Sequence, residues 1–153
     1  MSFSGFSDEI TADEIVENEE FWPDINLLEF QEQYRLPAQY RKEMLVDRIR
    51  LAMLWANKAL AEWKTSNAGD AVSLLDVPSQ MLGSEHALKL QYVRAVCCEA
   101  KAILLSDYKT MMRKSDAVSD AKEERETADQ FHQYASDAIN DFMGNSRIFC
   151  ELL

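Results

Sequence analysis

His86 and His132 are the only histidines in the chain. Asp129 and His132 stand three residues apart in a stretch that reads as helix, so both project from one face, where a metal ion could be held. A carboxylate-bridged di-metal site in a helical bundle needs two Glu-x-x-His pairs and two further carboxylates. No Glu-x-x-His occurs here. Cys97, Cys98 and Cys150 make an odd number with two adjacent, which is neither a disulfide framework nor a zinc spacing. Cys97 and Cys98 lie in the most apolar segment, where a thiol's pKa rises and its reactivity falls. No Gly-x-Ser-x-Gly, Gly-x-Gly-x-x-Gly or Gly-x-x-x-x-Gly-Lys is present, so a nucleophile elbow and a phosphate-cradling loop are both missing. Carboxylate pairs are frequent, but in an acidic chain their frequency carries no information. These residues predict an interaction protein without a cofactor, not an enzyme.

The elements that position these residues follow from patterning. The chain has 153 residues with only 4 Gly and 3 Pro, too few turn formers for a β-sandwich. Asn26 can cap a helix over about 27–34, with Glu29 at the third position. Pro37 suits the first turn of a second helix running to about Thr65, in which Leu45, Ile49, Ala52, Ala56, Leu60 and Trp63 recur every three or four residues. Residues 70–83 form an apolar connection that should pack on the body. Ser84 can cap a third helix to about 113. It carries two apolar stripes, Leu88, Tyr92, Val96 and Ile103 on one side and Leu90, Val93, Cys97, Ala100 and Leu104 on the other, as expected of a helix at a core centre or against a partner. A linker over 115–120 leads to a fourth helix over about 119–143 with Ala128, Phe131, Ala135, Ile139 and Phe142 inward, stopped by Gly144. Trp55, Trp63, Tyr92, Val96, Ile103, Phe131 and Ile139 are the expected core.

Charge is unevenly placed. The net charge is −11, and residues 1–20 contribute −7 of it with no Lys or Arg. Duplex nucleic acid is a poor ligand for such a chain. A run of like charge is usually a solvated, mobile arm; the functional alternative is an arm that fends off polyanions or grips a basic partner. The start, Met-Ser-Phe-Ser-Gly-Phe-Ser, has no basic and apolar signal pattern. The apolar runs are far short of the ~20 residues that span a bilayer. An intracellular protein with no membrane partner is expected. The fold class is all-α: a small antiparallel helical bundle over 21–143, an acidic arm over 1–20 and an extended tail over 144–153.

Three stretches recur together in a known order: Phe21-x-Pro23-Asp24-Ile25 just before a helix, Leu75-Asp76-Val77-Pro78 between helices, and Tyr92-x-Arg94-Ala95-Val96-Cys97 in the apolar helix. In this order and spacing, over about 21–153, the chain resembles the head completion proteins of temperate contractile-tailed phages. That resemblance implies a helical head–tail adaptor of the virion neck, assembled in the host cytoplasm. Such adaptors form a ring of about twelve copies below the portal protein. The ring joins after packaging, extends the DNA channel without binding DNA specifically, and offers a platform to the next connector or tail-terminator protein. The tail residues Arg147, Ile148, Phe149, Cys150, Glu151, Leu152 and Leu153 would then dock on the portal. Phe21, Trp22, Pro23, Asp24, Ile25, Leu75, Val77, Pro78, Leu90 and Val93 are candidates for the contact between subunits. Two alternatives stand beside this one. The tail could fold back on its own bundle, and the chain could be a small helical regulator that binds another protein through its arm or tail.

Overall fold

The computed structural model describes residues 9–37, 40–111 and 118–145, with backbone alone for 109–111 and 118–126. The chain is mostly helical: α1 (Leu27–Gln33), α2 (Lys42–Ala59), α3 (Ala61–Asn67), α4 (Ala87–Met111) and α5 (Val118–Met143). Two antiparallel pairs of two-residue strands complete it, β1 (Ile15–Val16) with β2 (Ile25–Asn26) and β3 (Met81–Leu82) with β4 (Glu85–His86). Among the described residues no helix is long and apolar enough to cross a membrane.

α4 is the central element. Cross-helix partners fix the directions of its neighbours. Arg94 lies over Tyr134, His132 meets Glu99, and Lys101 lies over Phe131, so α5 runs antiparallel to α4. Arg48 donates to Asp107, Tyr40 packs on Tyr108, and Asn57 meets Tyr92, so α2 runs antiparallel on another side. Tyr92, Ala95, Val96, Cys97, Cys98, Ala100, Ala102 and Leu104 of α4 are all buried. The two stripes of this helix are therefore largely covered within the monomer; Leu88, Val93 and Ile103 are half-buried and Leu90 is exposed.

The helix ends follow local chemistry. Asn26 accepts from the Glu29 N–H at 3.0 Å, as its position ahead of α1 predicts. α1 closes with Arg35 at φ +50 and the Leu36 N–H on the Gln31 carbonyl, and α5 closes with Gly144 at φ +74 and the Asn145 N–H on the Asn140 carbonyl. Both are left-handed caps that bond back to the last turn. The second helix expected from Pro37 to Thr65 differs at both ends. It starts at Lys42, after a turn in which the Tyr40 N–H bonds the Pro37 carbonyl. It is interrupted at Leu60, with no Gly or Pro to announce the break. The break redirects α3 so that Trp63 meets Trp22 and Phe142. α5 already includes 118–120, the end of the expected linker; 115–117 lie outside the described residues.

Ser84 does not cap α4. Residues 81–86 form the β3–β4 hairpin, turning at Gly83 with φ +63, and buried His86 takes the capping role. Its Nδ1 accepts from the Lys89 N–H at 3.3 Å. Its Nε2 therefore carries the hydrogen and donates to the Val77 carbonyl at 2.8 Å. One imidazole thus starts α4 and holds the apolar connection, whose Leu74 and Val77 are buried. His86→Ala removes both bonds and is expected to cost about 1–2 kcal/mol. A change below about 0.5 kcal/mol in chemical denaturation would show that the imidazole does not hold this junction.

Candidate functional site

The acidic segment packs on the body from Ile10 onward, where a mobile arm over 1–20 was expected; residues 1–8 lie outside the described residues. Ile10 and Val16 are buried in the core. β1 pairs with β2, and the Leu27 N–H bonds the Glu14 carbonyl at 3.0 Å. Glu14 pairs with Lys42 at 2.5 Å, which holds its carboxyl below its ordinary range, and Lys64 pairs with Glu19 at 3.1 Å. The sequence shows acids without bases in this run; their partners arrive from α2 and α3, far along the chain.

Asn18 is the polar centre of this attachment. Its side-chain amide donates to the Pro23 carbonyl at 2.8 Å and to the Tyr92 hydroxyl at 2.7 Å. Its side-chain oxygen accepts from Asn57 at 3.0 Å, and the Tyr92 hydroxyl donates to the Asn57 oxygen. The Asn18 N–H bonds the Asp24 carboxylate at 2.8 Å. Burial pushes the Tyr92 phenol upward, so it stays a neutral donor. A closed polar network of this kind fixes one arrangement, because each member left unpaired would cost its desolvation. Above it an aromatic cluster gathers four segments. Trp22 stacks on Tyr92 at 4.9 Å with planes 9° apart, and Phe21, Trp63 and Phe142 surround it.

Three of the expected interface side chains, Phe21, Trp22 and Ile25, are thereby core residues, as is Val77. Pro23 is half-buried, with its carbonyl bonded to Asn18. Asp24, Leu75 and Pro78 are exposed, with Leu75 at 55%. A cleft of about 460 Å³ opens between 17–24 and 73–75, bordered by Glu17, Glu20, Leu75 and Lys89. The tail set 147–153 lies outside the described residues.

The chemistry-bearing residues have structural partners. His132 Nδ1 bonds Glu99 at 2.9 Å across the α4–α5 seam, away from any partnership with Asp129. Lys101 donates to the Tyr34 carbonyl at the C-terminal end of α1 at 2.5 Å and lies over the Phe131 ring, a favourable place for a cation. Burial pushes the Cys97 and Cys98 thiols up. Sequence reading passed over Asn18 and Asn57; Asn57, polar beside Ala56 on an apolar helix, gave a signal that could have been noticed, as Lys101 did by standing charged in the apolar helix.

The described residues build a helical body whose charged and polar side chains pair across its seams and whose surface carries apolar and charged patches. The family described as "Phage head completion protein (GPL)" matches residues 16–153, and the chain belongs to that family. It is 32% identical over 100 residues to the "Probable head completion/stabilization protein" of Haemophilus phage HP1 (strain HP1c1), a stretch that covers 65% of this chain and 67% of the relative. No solved structure matches the chain significantly. Family membership therefore assigns the chain to phage head completion, as a virion-associated structural protein.

Proposed function

We propose that the chain acts as a neck adaptor: it forms a ring below the portal protein once DNA is packaged, and presents the ring to the next connector or tail-terminator protein. The family match over 16–153 carries this reading, because head completion needs a component that seals the packaged head. The physics supports it. Several large apolar side chains stay exposed on a body whose core is already filled, which suits repeated contacts between copies. The net charge of −11 suits a channel wall that passes DNA without holding it. The alternative of a regulator acting through its arm loses support, since residues 10–20 are engaged by the body.

The test adds purified chain to DNA-filled heads made without it. The expected outcome is about twelve copies per head, gathered at the portal vertex, with tails then able to join. Copies spread over the shell would mean that the protein stabilizes the capsid lattice instead, and the adaptor reading would fail.

A further inference from the structure

We infer that neighbouring copies meet through two unlike faces: the outer stripe of α2 on one copy against the β3–β4 hairpin and first turns of α4 on the next. This rests on the ring reading above and gives it residues. On α2, Ile49, Ala52 and Ala56 are fully buried, whereas Leu51 and Leu54 are 46% and 67% exposed. Each stands two positions from a buried residue, about 160° around the helix. Arg50 and Lys58 flank them, exposed and without an ion pair among the described residues. This face is apolar with a basic border.

The second face is its complement. His86 points inward, whereas Glu85 and its cross-strand partner Leu82 are exposed, as is Met81 opposite His86. Leu82 is 51% exposed and Leu90 47%. Glu85 is exposed and has no ion pair among the described residues. Leu90 is two positions from Tyr92, the residue that meets α2, and therefore lies about 160° around α4 from that contact. Both patches are turned away from the α2–α4 seam, with two helices between them. One chain cannot bring them together, but a second copy can.

The local chemistry matches in detail. Leu54 and Lys58 are neighbours at i and i+4 on α2, and Leu82 and Glu85 are neighbours across the hairpin. Setting one pair on the other buries leucine on leucine and places ammonium beside carboxylate. The two faces differ, so the contact repeats from copy to copy and closes into a ring when the rotation allows.

The test is disulfide trapping with Leu54→Cys and Leu82→Cys as single variants and as the double variant, each read against the unsubstituted chain, in solution and on DNA-filled heads, with the linked cysteines located by peptide mass mapping so that links through Cys150 are set aside. Under mild oxidation the mixed single variants should give a covalent dimer that neither gives alone, and the double variant a ladder of dimer, trimer and larger species. Dimer from Leu54→Cys alone would mean a two-fold contact and would overturn the inference. So would the absence of a ladder on heads that hold several copies, although the ring itself would then stand. Heads that bind a single copy would sink the ring reading and this contact together.

Discussion

Trp22→Ala is expected to cost about 3–5 kcal/mol, the largest loss of any single side chain in the described core. Trp22 is only 3% exposed and contacts the rings of Phe21, Trp63, Tyr92 and Phe142. These come from the acidic segment's end, α3, α4 and α5. Removing the indole leaves a cavity that four separate segments border, and a cavity shared so widely is slow to collapse. For a chain of this size the loss corresponds to a fall in melting temperature of roughly 6–20 °C. Leu75→Ala is the control: Leu75 is 55% exposed, and its truncation should stay within about 0.5 kcal/mol. A Trp22→Ala protein that melted with the Leu75→Ala control would show that the aromatic cluster does not organise the core.

The helices were legible in the sequence because their buried stripes keep a helical period. Asn26 and Gly144 act as read, since capping depends on local chemistry alone. The core list was legible only in part. Tyr92, Val96 and Ile139 are buried, but Trp55, Trp63, Ile103 and Phe131 are half-buried. Periodicity assigns a face to a side chain but not the depth of cover above it, and Phe131 keeps an edge open where Lys101 and Tyr134 meet it. The packing of 10–20 was not legible because the core places of Ile10 and Val16, and the partners of Glu14 and Glu19, Lys42 and Lys64, come from elements that only the tertiary fold brings near.

The three stretches that carried the family resemblance converge on one piece of architecture. The Phe21 carbonyl accepts from the Leu74 N–H, and the Asp24 carboxylate from the Asn18 N–H. Asp76 bonds the Ser73 N–H and hydroxyl in a short 3-10 turn, and the Val77 carbonyl accepts from His86. Tyr92 closes the polar network at Asn18 and Asn57. They are recognisable as a set because each needs a particular polar atom or ring at one place in a shared junction. The surfaces that would meet partners require only apolar area and charge, which many sequences can supply. The scaffold was therefore readable as family, while the proposed contact faces are argued from exposure.

Deleting 147–153 is expected to leave the body folded and to abolish attachment to DNA-filled heads. The effect should be near total, because in the adaptor reading this segment is the grip on the portal. Gly144 at φ +74 ends α5, and the Gly144 and Asn145 N–H groups bond back to the Asp141 and Asn140 carbonyls. The helix is thus capped before the segment 147–153, which lies outside the described residues. Ile148, Phe149, Leu152 and Leu153 make this segment strongly apolar, and Ile and Phe favour an extended strand. A strand added to an exposed sheet edge satisfies its backbone while alternate side chains fill pockets. Arg147 would fix the point of entry through a carboxylate on the portal. The competing arrangement, a tail folded back on its own bundle, makes a different demand. Removing it would uncover apolar surface and lower the melting temperature. Docking on the portal predicts an unchanged melting temperature with binding lost. A truncated chain that melted normally and still completed heads would free the tail of this role and transfer the portal contact to the body.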